Sequence, residues 1–412
     1  MPFDPIESYA NSRHEFGEHG GVNMSIEAST TFTVMDAQVM PEIFQGRLGP
    51  ADQKTESGGC YLYSRHFNPT VYTLGRAIAA IESTEAGYCT ASGMAAISTT
   101  LMQIANPGDH IVSAAAVYGG TFALLAEYLP AKCNINTTFV DITDLEAVRN
   151  AITPQTKAIY CETLSNPTLA IANIPKLAKI AHNAGARLVV DNTFSPLIVT
   201  PANHGADIVV HSITKFIGGA SDIIAGAVCA SNDFISSLMD LHTGSIMLLG
   251  PTMDPQTAFQ LSLRLPHLAL RMQEHSRRAQ FIAEKLAKLG IPVSYPGLPD
   301  FPHADAFNTI ANEGFGAGGL LTLDAGTSEK ANELMTILQN KYRFGYMAVS
   351  LGYFDTLMSC SATSTSSELS DKDLERAGIQ PGLVRMSIGY TGSLEQRWVQ
   401  LESALREVKL IP

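Results

Sequence analysis

Short apolar segments alternate with segments of helical periodicity through the middle of this chain. Many of the apolar segments are rich in β-branched residues, as buried parallel strands are. The strand candidates are His110 to Ser113, Asn136 to Val140, Ala158 to Glu162, Leu188 to Asp191, Ile208 to His211 and Ile224 to Cys229. Helical periodicity occupies several of the intervals between them, including 144–152 and 174–184. This alternation predicts an α/β fold with a large, mostly parallel sheet covered by helices on both faces.

The pattern changes near residue 250. Asp254 followed by Pro255 predicts a helix start, because aspartate caps helices and proline suits their first position. We expect this helix to kink near Pro266, to resume, and to end at Gly290. Further strands are predicted at 320–323, 347–351 and 383–388, and helices at 329–338 and 394–408. These elements predict a smaller α+β domain.

A chain of 412 residues is long enough for two domains. We place an α/β domain over residues 66–260 and a C-terminal α+β domain over 261–412. Residues 1–65 show little periodicity but contain scattered apolar residues. We interpret them as an arm that packs on a neighbouring subunit of a symmetric oligomer.

Charge and composition exclude several classes of function. The formal net charge of -12 argues against nucleic acid or an anionic membrane as the partner. Apolar runs are too short for a membrane span, and the first residues lack the pattern of a secretory signal. The 6 cysteines are scattered without a C-x-x-C pair, which favours a reducing compartment and indicates neither disulfides nor a metal site. We therefore expect a cytoplasmic protein.

One lysine lies where ligands bind in open α/β folds. Lys215 follows the predicted strand that begins at Ile208, and Ser212 and Thr214 precede it directly. Partial burial would lower the pKa of the amine and make it a nucleophile for Schiff-base chemistry. The alternative is a surface lysine in an ordinary turn. This segment alone leaves both interpretations open.

A second strand, beginning at Arg187, ends in a carboxylate, Asp191. Together the two stretches resemble pyridoxal-phosphate (PLP) enzymes of the aspartate-aminotransferase type, known as fold type I. The resemblance implies that Lys215 carries PLP as a Schiff base and that Asp191 pairs with the pyridinium nitrogen. It also implies that Ser212 and Thr214 hold the phosphate. A carboxylate that keeps this nitrogen protonated lets the ring accept electrons.

Two further segments supply candidate phosphate ligands. The string from Tyr63 through Arg65 to Thr70 resembles the phosphate clamp of the Cys/Met-metabolism PLP family. In that family the matching tyrosine and arginine reach into the partner subunit's site. Gly93 and Met94 stand at the predicted start of a helix, where free N–H groups favour a phosphate.

Two loop residues are candidates for contact with the cofactor ring. Tyr118 could stack on a flat ring, and Asn166 could donate a hydrogen bond to a phenolic oxygen. The alternatives are a core tyrosine and an ordinary Asn-Pro turn. The family resemblance implies that Tyr118 stacks on PLP and acts as an acid, and that Asn166 contacts O3′ of the cofactor.

An arginine in the C-terminal half lies inside an apolar strand. An unpaired guanidinium there would be costly, so Arg385 needs an anionic partner, either a structural carboxylate or that of a substrate. Ser350 is unremarkable by itself. Both residues match family positions that bind the α-carboxylate of the amino acid.

Within the family, residues 13–29 and 356–361 are similar to plant-type methionine γ-lyases. The resemblance implies α,γ-elimination from methionine or a related sulfur amino acid, in a homotetramer built from dimers that share active sites. Two departures concern the substrate: Gly120 replaces a cysteine of microbial lyases, and a Ser/Thr-rich run fills 359–367. We expect the glycine to leave a roomier pocket. The alternatives are an O-acyl-homoserine sulfhydrylase, a cystathionine γ-synthase or γ-lyase, and a non-catalytic PLP-binding protein.

Overall fold

The computed structural model describes most of the chain. The described residues are 2–12, 16–17, 19–34, 36–45, 47–50, 61–360 and 379–412. Part of the predicted arm and most of the Ser/Thr-rich run therefore lie outside the described residues. No helix among the described ranges is both long enough and apolar enough to cross a membrane.

The larger sheet is mostly parallel, as predicted. Its strands are β1 (Ala86–Thr90), β2 (His110–Ala114), β3 (Asn136–Val140), β4 (Thr156–Glu162), β5 (Arg187–Asp191), β6 (Ile208–Ser212) and β7 (Gly226–Ala230). They lie in the order β1-β7-β6-β5-β4-β2-β3. Only β7 runs antiparallel to its neighbours in this sheet. The central strands are buried along most of their length, which explains why their sequences are continuously apolar rather than alternating.

The first part of the chain also contains helices, several of which contact this sheet. They are α1 (Pro5–Ser12), α2 (Val39–Phe44), α3 (Pro69–Ile81), α4 (Gly93–Ile104), α5 (Gly119–Ala123), α6 (Leu129–Cys133), α7 (Leu145–Ala151), α8 (Ile174–Asn183), α9 (Asn232–Leu238) and α10 (Ser245–Leu249). Side-chain caps fix several of their starts. Asn68 accepts hydrogen bonds from the N–H groups of Thr70 and Val71 to begin α3. Ser92 accepts one from the N–H of Ala95 to begin α4.

The connection to the second sheet follows the predicted pattern. Asp254 caps α11 (Pro255–Ser262), and a 3₁₀ turn containing Pro266 separates this helix from α12 (Leu268–Lys288). Gly290, with φ of +76°, ends the helical segment. The break near Pro266 is expected, because proline removes a backbone donor and clashes with the preceding turn.

The second sheet has the order β10-β11-β12-β9-β8 and is mostly antiparallel. Its strands are β8 (Val293–Ser294), β9 (Leu320–Asp324), β10 (Gly345–Met347), β11 (Thr356–Cys360) and β12 (Leu383–Ser387). Its part of the chain also contains α13 (Ala304–Ile310), α14 (Ser328–Asn340) and α15 (Leu394–Glu407). The predicted strand over 347–351 was wrong, since β10 ends at Met347 and Ser350 lies in an irregular segment. The chain turns at Gly352, whose φ is +77°.

Candidate active site

A cavity of about 240 Å³ opens where β4, β5 and β6 end. This is the edge of the sheet at which open α/β folds bind ligands. The cavity is lined by Ser92, Gly93, Met94, Ile97, Tyr118, Glu162, Leu164, Asn166, Asp191, Thr193, Phe194, Ser212, Thr214, Lys215, Ile224, Val349, Leu351 and Arg385. The structure thus brings most of the predicted site residues to one cavity, although they are far apart in sequence.

Lys215 lies in the turn that follows β6. Its Nζ donates a hydrogen bond to Oγ of Ser350, 3.1 Å away, which adds Ser350 to the site. Burial, together with the nearby charge of Arg385, lowers the pKa of Lys215 to about 8. The amine is therefore partly neutral near physiological pH, as a nucleophile or a base must be.

Asp191 ends β5 and is held by two donors. Its Oδ1 accepts a hydrogen bond from the N–H of Thr193 at 2.9 Å, and its Oδ2 accepts one from the hydroxyl of Tyr160 at 3.3 Å. Burial raises the pKa of this carboxyl group. A cationic partner in the cavity would favour the ionised form, because it would offset the lost solvation.

Glu162 is a site residue whose role the sequence analysis missed. Its Oε1 accepts a hydrogen bond from the N–H of Tyr118 at 2.7 Å, and its Oε2 accepts one from the N–H of Asn166 at 2.8 Å. The carboxylate therefore fixes the bases of two loops. Burial and the charge of Asp191 raise the pKa of Glu162 to about 8. The sequence did contain a signal for this role, because Glu162 ends a buried strand as Asp191 does.

The start of α4 lies against the end of β6. A Cβ atom added to Gly93 would come within 2.6 Å of Cβ of Ser212, so only glycine permits this approach. Ser92 caps the N–H of Ala95, and the first-turn N–H groups of Gly93 and Met94 stand at the helix end that favours anions. This corner of the cavity suits a phosphate.

Arg385 is only 2% exposed in the middle of β12. Its Nη1 donates to Oδ1 of Asn166 at 2.9 Å, and its Nη2 donates to the carbonyl oxygen of Ser350 at 3.2 Å. Within the described part of the chain, no carboxylate forms an ion pair with it. The charge of Glu162 nevertheless acts on the guanidinium and opposes the larger effect of burial on its pKa, so Glu162 is the structural candidate, although it lies beyond ion-pair distance. Burial lowers the pKa of Arg385 to about 10. The carboxylate of a ligand would neutralise this buried positive charge.

Tyr63 and Arg65 do not line the cavity of their own chain. Nη1 of Arg65 donates to the carbonyl oxygen of Met247 at 2.7 Å. Tyr63 is 46% exposed and lies below the Arg65 guanidinium, which is 5.7 Å from the centre of the ring. Both side chains are thus separate from the other predicted site residues within one subunit.

The expected room beside Gly120 is occupied by other side chains. A Cβ atom at this position would lie 2.6 Å from Cε1 of Tyr118 and 3.3 Å from Sδ of Met94. The glycine accordingly accommodates the Tyr118 ring, which is 45% exposed, and does not itself line the cavity. A larger residue at position 120 would displace the side chains of Tyr118 and Met94, which do line the cavity, so the roomier pocket stays a prediction.

The sequence profile of the family described as Cys/Met metabolism PLP-dependent enzyme matches residues 8–397. The methionine gamma-lyase of Arabidopsis thaliana is 57% identical over 402 residues, which cover 97% of this chain and 90% of that protein. The cystathionine gamma-lyase of Bacillus subtilis is 37% identical over 332 residues, covering 80% of this chain and 84% of that protein.

A solved structure of a similar protein extends the likeness to three dimensions. It is that of a putative O-acetylhomoserine (thiol)-lyase from Campylobacter jejuni, which contains a pyridoxyl-lysine phosphate. Its TM-score is 0.87 at 28% identity, with 98% of this chain and 100% of that chain covered.

Proposed function

Because the chain belongs to the Cys/Met-metabolism family of PLP-dependent enzymes, we propose that it eliminates the γ-methylthio group of L-methionine. One water molecule is consumed, and the products are 2-oxobutanoate, ammonia and methanethiol. The observation that carries this proposal is the 57% identity to a methionine gamma-lyase over nearly the whole chain. The sequence predictions of the family, the fold type and PLP as the cofactor are confirmed.

The cavity fits PLP in the charged and polar groups that it presents. It has an amine with a lowered pKa, a carboxylate at the end of β5, and a helix start that leaves N–H groups for an anion. We assign the Schiff-base linkage to Lys215 and the partner of the ring nitrogen to Asp191. The remaining contacts are assigned to Gly93, Met94, Ser212 and Thr214 for the phosphate, to Tyr118 for stacking on the ring, and to Asn166 for O3′.

Two side chains of the cavity, Lys215 and Tyr118, each carry out one proton transfer. When bound, PLP supplies a ring that takes up the negative charge left on a substrate carbon after deprotonation. Lys215, with a pKa of about 8, is a base suited to removing the proton from Cα at neutral pH. Tyr118 lines the cavity and is 45% exposed, and we assign to it the donation of a proton to the departing thiolate.

Arg385 and Ser350 orient the substrate. The guanidinium offers a planar pair of donors that matches the two oxygens of an α-carboxylate. The thioether end of methionine needs apolar neighbours instead. The cavity supplies Leu164, Phe194, Ile224, Val349 and Leu351. Three of these side chains, Leu164, Phe194 and Leu351, are buried. A charged substrate terminus against them would lose solvation, so this part of the lining favours methionine.

The deciding experiment compares elimination with replacement. We expect the enzyme given methionine alone to release equal amounts of 2-oxobutanoate and methanethiol. A second reaction contains O-acetylhomoserine and sulfide, and homocysteine is measured. If homocysteine formation greatly exceeds any elimination, the chain is an O-acyl-homoserine sulfhydrylase, the activity named for the structurally similar Campylobacter jejuni protein.

We further propose a cytoplasmic homotetramer whose dimers share active sites, with residues 1–65 as the arm that reaches the neighbouring subunit. The separation of Tyr63 and Arg65 from their own cavity supports this arrangement. The boundary near residue 260 stays a proposal as well, and it would fall within α11.

A mixture of Arg65→Ala and Lys215→Ala proteins should recover activity that neither has alone. A hybrid dimer contains one site with both residues intact, so random exchange restores about a quarter of the wild-type sites. The control mixes Arg65→Ala with the Arg65→Ala, Lys215→Ala double variant, whose hybrids contain no intact site. Subunit exchange is followed by mass labelling, and exchange without recovered activity would contradict the arrangement.

A further inference from the structure

Two arginines of the segment that links the sheets donate hydrogen bonds to the turn that follows Lys215. Arg271, on α12, donates from Nη1 to the carbonyl oxygen of Phe216 and from Nη2 to that of Ile217, the latter at 2.8 Å. Nη1 of Arg264 donates to the carbonyl oxygen of Gly218 at 3.1 Å. Three consecutive peptide carbonyls are thus bound by guanidinium groups immediately after the lysine.

Arg271 has an environment that stability alone does not explain. The residue is 8% exposed, and its Nε donates to Nδ1 of His267 at 3.1 Å. In the part of the chain that the structure describes, its hydrogen-bond acceptors are neutral, namely Nδ1 of His267 and the carbonyl oxygens of Phe216, Ile217 and Arg264. No carboxylate there forms an ion pair with it. Burial lowers its pKa to about 10. Burying this charge costs desolvation, and two of the carbonyl oxygens that it binds belong to the turn after Lys215, so its hydrogen bonds fix the geometry of that turn.

The preceding peptide, between Lys215 and Phe216, is contacted by a segment that leads into the second sheet. A Cβ atom at Gly352 would lie 2.5 Å from N of Phe216 and 2.7 Å from C of Lys215, so no larger residue fits there. Gly352 is anchored in turn, because its N–H donates to Oγ of Ser387 on β12 at 2.9 Å. Gly352 therefore contacts the peptide bond between Lys215 and Phe216, and Arg271 binds the carbonyl oxygens of the next two peptides.

We propose that Arg271 is a positioning residue for Lys215. By holding the carbonyl oxygens of Phe216 and Ile217, it fixes the backbone from which the lysine side chain leaves and directs the amine toward the reacting carbon. Arg271 itself touches neither cofactor nor substrate. The inference rests on the proposed role of Lys215 and does not depend on which amino acid is the substrate.

A matched control lies on the same helix. Arg278 is also buried, and it also donates to two backbone carbonyls, those of Thr391 and Gly392, but this loop does not carry the lysine. Unlike Arg271, Arg278 also forms an ion pair with Glu274, with 2.6 Å between Nε and Oε1. Arg271→Met and Arg278→Met should both lower the melting temperature. Only Arg271→Met should lower kcat, by about 100-fold with KM nearly unchanged, because small displacements of a catalytic group have effects of this size.

A second measurement needs no substrate. The pH midpoint of the visible absorption band of the lysine-bound cofactor is determined in each holoenzyme, and only Arg271→Met should shift it. Arg271→Lys keeps the charge but lacks the planar pair of guanidinium donors, so it should shift the midpoint by an intermediate amount. This variant tests the proposal if Arg271→Met does not fold. Identical midpoints and kcat values for the Arg271 and Arg278 variants would overturn the proposal. If wild-type protein does not cleave methionine, the function proposed above fails while the comparison of midpoints still stands.

Discussion

Replacing Lys215 with alanine should abolish turnover and the visible absorption of the lysine-bound cofactor. Lys215 is the only lysine that lines the described cavity, so no other amine there can take its place. We expect a loss of at least about 10⁴-fold, the upper end of what one proton-transfer group contributes, because attachment of the cofactor is lost as well. Turnover is measured as release of 2-oxobutanoate, and absorption is measured on the purified holoenzyme.

The fold should survive this substitution. The side chain of Lys215 makes one described hydrogen bond, to Ser350, and removal of a partly buried amine relieves desolvation. Circular dichroism and the melting temperature should therefore stay close to wild type. Lys176→Ala, on the exposed side of α8, is the matched control and should retain both activity and absorption. A Lys215→Ala protein with turnover near that of wild type would exclude the assigned role.

Replacing Arg385 with leucine should lower kcat/KM for methionine by on the order of 100-fold. A bidentate, charge-assisted pair with a carboxylate is worth a few kcal/mol in a desolvated site, which corresponds to a loss of this size. The effect follows from the environment of the guanidinium. Its hydrogen-bond partners among the described residues, Asn166 and Ser350, are neutral, and the carboxyl group of Glu162 acts on it only from beyond ion-pair distance.

Steady-state kinetics and thermal unfolding together distinguish the two roles of Arg385. If a ligand carboxylate is its partner, the leucine variant remains folded and loses catalytic efficiency. Arg385→Lys keeps the charge without the planar fork, and we expect it to lie between leucine and wild type. A leucine variant that unfolds, or one with wild-type kinetics, would favour a structural role.

Most of the larger sheet could be predicted because its strands are buried on both sides. The segments that end at Asp191 and Ser212 are short, apolar and β-branched, and no competing helical period disturbs them. Because strands in a parallel sheet point the same way, the carboxyl ends of these two strands had to lie at one edge of the sheet. The lysine and the carboxylate could therefore be assigned to one site before any distance was known.

The second sheet was harder because tertiary contacts decide its local structure. Val349 to Leu351 has the composition of a strand, yet Val349 is 69% exposed and the segment turns away to reach the lysine. The close contact of Gly352 with Phe216 requires this path, and no local pattern encodes it. Arg271 was missed for the same reason, since its carbonyl acceptors lie more than 50 residues earlier in the chain.

The two hydrogen bonds accepted by Glu162 bear on how freely the surrounding loops can be redesigned. Both donors are peptide N–H groups, at Tyr118 and Asn166, so the tie depends on the backbone and not on the side chains that the loops present. Any amino acid except proline supplies such a donor. Libraries that randomise either loop to change the accepted amino acid should therefore keep the loops in register if Glu162 is retained and proline is omitted at these two positions.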